Sequence, residues 1–114
     1  MPIKVSSAKS KGRRLQQAAR DAILAAFPDL EEGDVRSCAM GSQGEDLQLS
    51  PAAARAFPFS VECKAKAKGF TVLYDALGQA AGQNDRTPLA VVKQDRRKPL
   101  VVIDLDDFLK LVRR

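Results

Sequence analysis

From Lys9 to Phe27 the apolar residues Leu15, Ala18, Ala19, Ala22, Ile23, Ala26 and Phe27 recur at steps of three and four. That is the period of one helical face, and Pro28 ends it. After a polar turn over Leu30–Asp34, Val35–Met40 reads as a short strand, and Gly41-Ser42-Gln43-Gly44 leads through a bend or hairpin into a second alternating strand, Glu45–Leu49. Ser50-Pro51 has the form of an N-cap followed by proline at the first helical position, which predicts one or two turns of helix over Ser50–Phe57, stopped by Pro58. Phe59–Lys64 alternates again, with Phe59, Val61 and Cys63 on one face and Ser60, Glu62 and Lys64 on the other, as in a strand with a charged edge. Past a basic linker, Lys64–Gly69, the spacing of Val72, Leu73, Ala76, Leu77, Ala80 and Ala81 predicts a second long helix over Thr71–Gly82. Leu89–Val92 and Leu100–Ile103 are β-branched runs joined by a charged hairpin loop, and a helix over Asp104–Val112 closes the chain.

The order α-β-β-(α)-β-α-β-β-α predicts an α/β fold with a central mixed β-sheet flanked by helices. With 114 residues, 45% of them apolar, the chain has material for one core and too little for two, so residues 1–114 read as a single domain. Residues 1–10 read as a flexible basic arm.

Charge narrows the partners. Nineteen basic against 14 acidic residues give a formal net charge of +5, which attracts a polyanion, nucleic acid ahead of an anionic membrane. The sequence shows neither an apolar run long enough to span a bilayer nor the apolar stretch of a signal peptide, and a cytoplasmic protein is expected. The two cysteines, Cys38 and Cys63, are spaced far outside any metal or redox pattern and read as small core residues of a reduced protein. The chain has no histidine, which removes Ser-His-Asp and Cys-His nucleophilic catalysis and histidine-based zinc sites together. What remains for an enzyme is carboxylates, lysine and a hard metal ion.

Those groups occur in one arrangement. Glu62 and Lys64, two apart on a predicted strand, project from one face, and Asp46 sits at or near the end of the neighbouring strand. Two carboxylates and an ammonium therefore converge, and oxygen donors at a sheet edge suit Mg²⁺ or Mn²⁺, with the Cys63 backbone carbonyl as a further ligand. Lys64 is placed to orient a water and to offset charge on a phosphorane-like transition state, which makes phosphodiester hydrolysis the matching reaction. Glu45 is a candidate for a second metal or a water.

Gly44-Glu45-Asp46 followed by Glu62-Cys63-Lys64 on this frame resembles the PD-(D/E)XK nuclease superfamily. The stretches Arg36-Ser37 through Met40-Gly41, Leu49-Ser50-Pro51 and Phe57–Lys64 are similar to its small single-domain phage members, so that most of the chain is covered. The proline that names the motif is absent, and Gly44-Glu45 stand before Asp46 instead. The resemblance implies a restriction-endonuclease-like core, a phage-encoded DNA endonuclease acting in the host cytoplasm, Asp46 and Glu62 as metal ligands and Lys64 as the catalytic lysine. Resolvase-like members carry a metal-reaching glutamate on the first helix, where this chain offers Gln16, Gln17 and Asp21. Gln79 matches a glutamine that the exonuclease-like branch carries on the helix after the Glu-x-Lys strand, which implies a substrate- or water-orienting role.

For DNA contact the candidates are Lys11, Arg13 and Arg14 on the first helix, with Lys9 ahead of them, and Lys93, Arg96, Arg97 and Lys98 in the hairpin loop, with Lys66 or Lys68 added. A solvated terminus and a solubilising loop tip are the plain alternatives for these two clusters. Positive charge near a helix N-terminus opposes the helix dipole, which points to some other use for the first cluster. With aromatics limited to five Phe and Tyr74, duplex or branched DNA is favoured over single strands. Cutting both strands with one small site per chain takes two copies, so a homodimer is expected. Three rivals remain open at this point: a structure-selective nuclease resembling Holliday-junction resolvases, a DNA-binding accessory without turnover, and a small interaction domain whose basic loop contacts an acidic protein partner.

Overall fold

The computed structural model describes residues 5–38 and 44–114. Among them are four α-helices and two antiparallel two-stranded sheets, a mixed α/β chain that divides into two compact units, Met1–Lys66 with Val112–Arg114, and Ala67–Leu111. No helix among the described residues is long and apolar enough to cross a membrane.

In the first unit, α1 (Val5–Ala26) starts before the expected Lys9, so residues 5–10 are helical rather than a flexible arm. Once a helix is nucleated each added residue gains a backbone hydrogen bond, and no Gly or Pro lies between Val5 and Lys11 to stop it. Its buried stripe is Gly12, Gln16, Ala19 and Ile23, spaced by four, three and four. This is rotated from the alanine-rich face the periodicity picks out, and Ala18 is exposed. α1 packs on β1 (Val35–Ser37), which pairs with β2 (Leu47–Leu49) in the register Val35↔Leu49, Arg36↔Gln48, Ser37↔Leu47. Val35, Leu47 and Ile23 are the largest fully buried side chains, while Arg36 and Gln48 face water, the period-two pattern of a half-buried ladder. Arg20 ties the helix to this ladder: its Nε donates to the Val35 carbonyl at 2.8 Å and its Nη2 to the Glu32 carbonyl at 3.0 Å.

Ser50 caps α2 (Pro51–Ala56) as its sequence predicts, its Oγ accepting from the Ala53 N–H at 3.1 Å with Pro51 in the first turn. The Ser50 hydroxyl donates onward to Asp34 Oδ1 at 2.6 Å, and the Glu31 N–H donates to Asp34 Oδ2 at 2.7 Å. These donors, Ser50 first, hold the Asp34 carboxyl below its ordinary value of 3.8. In the interval between the lowered and the ordinary pKa the folded chain binds fewer protons than the unfolded one. The stabilisation is therefore complete above the ordinary pKa and is lost as pH falls through the folded value. Thermal melts of wild type and Asp34→Asn against pH are expected to differ at neutral pH and to converge in acid. A constant difference at every pH rules out this linkage.

The second unit holds α3 (Thr71–Ala81), β3 (Ala90–Val92), β4 (Leu100–Val102) and most of α4 (Leu105–Val112). Gly82 caps α3, and α3 packs on β3. β3 and β4 pair antiparallel with Ala90↔Val102, Val91↔Val101 and Val92↔Leu100. Ala90 and Leu109 are its buried apolar residues.

One central mixed sheet is not what the described residues form. The ladders are two antiparallel pairs, and Phe59–Lys64, expected as a strand, lies outside any ladder. The reason lies at Asp46. In an antiparallel hydrogen-bonded pair, a residue sends its N–H and C=O to the same partner. The Asp46 carbonyl accepts from the Cys38 N–H, continuing the β1–β2 ladder by one rung, but the Asp46 N–H turns to the Val61 carbonyl. The Cys63 N–H, which a third strand would give to a backbone carbonyl, goes to the Asp46 side chain. Residues 39–43, with the end of the expected first strand at Met40 and the glycine connector up to Gln43, lie outside the described residues.

Candidate metal and phosphate site

The site is built where the β2 ladder ends. Leu47, the first residue of β2, is completely buried, and alternation along the strand aims its neighbour Asp46 away from that core. Gly44, two residues earlier, has φ 96°, a left-handed conformation that glycine adopts without steric cost.

The segment that carries Glu62 and Lys64 is positioned from both sides. Upstream, Phe57 is buried between Phe27, with ring centroids 6.2 Å apart, and Phe59, 4.8 Å away. The Phe59 N–H closes a tight turn around Pro58 onto the Phe57 carbonyl at 2.8 Å. Downstream, Asp46 holds the backbone twice, by its N–H to the Val61 carbonyl at 3.2 Å and by its Oδ2 accepting the Cys63 N–H at 2.6 Å. Between these anchors the predicted alternation is kept in part: Val61 and Cys63 are half-buried and Ser60, Glu62 and Lys64 are exposed, but Phe59, expected on the same face as Val61 and Cys63, is 40% exposed.

Asp46 and the Glu62-Cys63-Lys64 tripeptide are thus together. Asp46 is half-buried, and its second oxygen, Oδ1, has no hydrogen-bond partner among the described residues. Glu62 and Lys64 make no hydrogen bond or ion pair there, and the Cys63 carbonyl accepts none. Burial first, then the charges of Asp46 and Glu62, push the Cys63 thiol above its ordinary 9.0, so that both carboxylates act on the same sulfur. A thiol held protonated is a poor nucleophile, which leaves Cys63 a backbone role.

The donors fit a hard divalent cation. Asp46 Oδ1, the Glu62 carboxylate and the Cys63 carbonyl are all oxygens, and Mg²⁺ takes one or two carboxylates while keeping several waters. No group of three or more His, Cys, Asp or Glu side chains among the described residues is arranged to hold a metal ion, so any metal here depends on that carbonyl, on water and on substrate oxygens. Glu45 is exposed beside Asp46, and its side chain makes no hydrogen bond or ion pair among the described residues.

Of the three first-helix candidates, Asp21 pairs with Arg20 at 3.0 Å, Gln17 is exposed, and Gln16 is 2% exposed with its Oε1 accepting from the Ser37 hydroxyl at 2.9 Å. The burial of Gln16 was legible only as its place in the 12-16-19-23 stripe, a signal that hydrophobicity hides. Lys11, Arg13 and Arg14 are exposed on α1. Gln79 is exposed on α3, and Lys93, Arg96, Arg97 and Lys98 are exposed in the β3–β4 loop, all in the second unit.

No protein-family model, no curated protein and no solved structure matches the chain.

Proposed function

We propose that the chain is a divalent-metal-dependent DNA endonuclease of phage type, built on a restriction-endonuclease-like core and acting as a homodimer. The observation that carries this reading is the 2.6 Å hydrogen bond from the Cys63 N–H to Asp46 Oδ2, between residues 17 apart in sequence. It sets one carboxylate beside a Glu-x-Lys segment whose charged groups are unpaired among the described residues. The chain order α1, β1, β2, the short α2, segment 59–64 and α3 supports the core assignment, since apart from α2 it is the order of that fold up to its second helix.

In this reading Asp46 Oδ1, Glu62 and the Cys63 carbonyl hold Mg²⁺ or Mn²⁺. Bound there, such an ion polarises the scissile phosphate and lowers the pKa of a water. Asp46 can bind metal without releasing the backbone, because Oδ2 and Oδ1 divide the two tasks. Lys64 has no acidic partner among the described residues, so it is available to orient the attacking water and to offset charge as the phosphorus gains a fifth oxygen. The water oxygen bonds to phosphorus as it gives up a proton to solvent, the phosphorus–oxygen bond to the leaving sugar breaks, and the leaving oxygen takes up a proton from solvent.

The test is cleavage of supercoiled plasmid and of a labelled four-way junction with Mg²⁺ or Mn²⁺, against EDTA and Lys64→Ala. Cleavage is expected to require the metal and to slow by about 10²–10³-fold in Lys64→Ala, the usual cost of removing one charge-stabilising group. Preference for the junction over linear duplex assigns the resolvase-type specificity. No cutting of either DNA, with binding intact, replaces the nuclease by a DNA-binding accessory.

A further inference from the structure

The β3–β4 hairpin ends in seven residues, Lys93-Gln94-Asp95-Arg96-Arg97-Lys98-Pro99, with four cations against one acid. The Arg97 N–H donates to the Gln94 carbonyl at 3.0 Å, closing a turn whose third residue, Arg96, has φ 65°. Arg96 is the one described residue other than glycine in the left-handed region. Turns of this kind normally place Gly, Asn or Asp there, because a longer side chain is sterically disfavoured. A tip that served only solubility would have no use for an arginine at the one position that resists it, and strained residues of this sort gather at binding sites.

The tip is also concave. Lys93, Gln94, Arg96, Arg97 and Lys98 line a cleft of about 640 Å³ whose apolar lining is Val92 and Leu100, the last paired residues of the ladder. Aliphatic stems of Lys and Arg lie readily on such a floor while their charged heads stay in water. None of the four cations is in a salt bridge among the described residues, and the single hydrogen bond that any of their charged groups makes there runs from Lys93 Nζ to the neighbouring Gln94 carbonyl at 3.4 Å.

We propose that this cleft is a second site, distinct from Asp46, Glu62 and Lys64, which binds the phosphate backbone of duplex DNA. It rests on the nuclease reading only for the choice of DNA as the polyanion. Guanidinium forks match phosphate oxygens in pairs, and Arg96 and Arg97 supply two of them side by side. Among the described residues no aromatic side chain lines the cleft, so none there offers the stacking surface that single strands use. Contacts limited to phosphates position a duplex without reading its sequence.

Binding of a labelled duplex by the full chain, followed by fluorescence anisotropy in EDTA across a salt series, tests the site. Arg97→Ala with Lys98→Ala is expected to weaken binding about tenfold and to flatten the slope of log affinity against log salt by about 2, near 0.9 for each phosphate no longer neutralised. Arg96→Gly, which relieves the turn while removing the charge, is expected to weaken binding at an unchanged or higher melting temperature. Affinity and slope equal to wild type in both variants overturn the proposal. So does binding of anionic phospholipid vesicles that falls in parallel while duplex binding stays constant. The two readings separate cleanly. Tip-dependent binding by a protein that never cuts DNA leaves this site standing and removes the nuclease, and metal-dependent cutting with tip-independent binding does the reverse.

Discussion

Asp46→Asn is expected to lose plasmid cleavage by about 10²–10³-fold while keeping nearly the wild-type melting temperature, whereas Asp46→Ala loses both activity and stability. The difference follows from the two tasks of one carboxylate. Oδ2 accepts the Cys63 N–H at 2.6 Å, and an asparagine carbonyl accepts the same bond. The segment carrying Glu62 and Lys64 then stays in place, but a neutral amide is a weak partner for a hard cation. Alanine leaves the Cys63 N–H of a half-buried residue without its acceptor, at a cost of roughly 1–3 kcal/mol. A third readout is independent of catalysis. Both variants remove a negative charge that raises the Cys63 thiol, so its pKa moves down toward 9.0, and burial, the larger cause, keeps it from falling the whole way. Thiol titration checks this directly. Asp46→Asn that cuts DNA at the wild-type rate removes Asp46 from the proposed ligand set and reduces it to a tether for the Glu-x-Lys segment.

What could be read from the sequence was whatever depends on near neighbours. The Ser50-Pro51 cap is local chemistry, and it is found with its hydrogen bond in place. α3 and the paired runs Ala90–Val92 and Leu100–Val102 follow from periodicity and β-branching, with ends shifted by a residue. The exposure of Glu62 and Lys64 beside half-buried Val61 and Cys63 also follows from alternation. The failures concern partners distant in sequence. Whether Phe59–Lys64 joins a ladder depends on where the Cys63 N–H goes, and a side chain 17 residues away takes it. The buried stripe of α1 keeps Ala19 and Ile23 from the expected face but is rotated toward Gly12 and Gln16, because Gln16 is satisfied by Ser37, a contact no hydropathy pattern records. The same limit explains why the sequence left Gln16, Gln17 and Asp21 as alternatives on α1, where burial of Gln16 and the pairing of Asp21 with Arg20 tell them apart. Spacing on a strand fixes a shared side, but the choice among three neighbouring helix residues turns on rotation about the helix axis.

Leu47→Ala is expected to be the most damaging single truncation for this site, through stability and position together. Leu47 has no exposed surface, stands opposite Ser37 in the ladder and immediately follows Asp46. Truncating a leucine in such a place costs about 3 kcal/mol, the lost transfer energy plus the cavity left behind. For a domain of this size that corresponds to a fall in melting temperature on the order of 10 °C. Leu47→Met keeps most of the volume and is expected to cost under about 1.5 kcal/mol, and Gln48→Ala, one residue on and facing water, within about 0.5 kcal/mol. The gradient across these variants separates core packing from strand propensity, which would penalise the exposed position as well. At a temperature where Leu47→Ala remains folded, its cleavage rate should still fall by about 10²-fold, because collapse into the cavity drags the adjoining Asp46 and a misplacement near 1 Å is enough for that loss. A Leu47→Ala protein that melts with wild type would mean that β2 does not anchor this core, and the placement of Asp46 beside Cys63 would lose its physical cause.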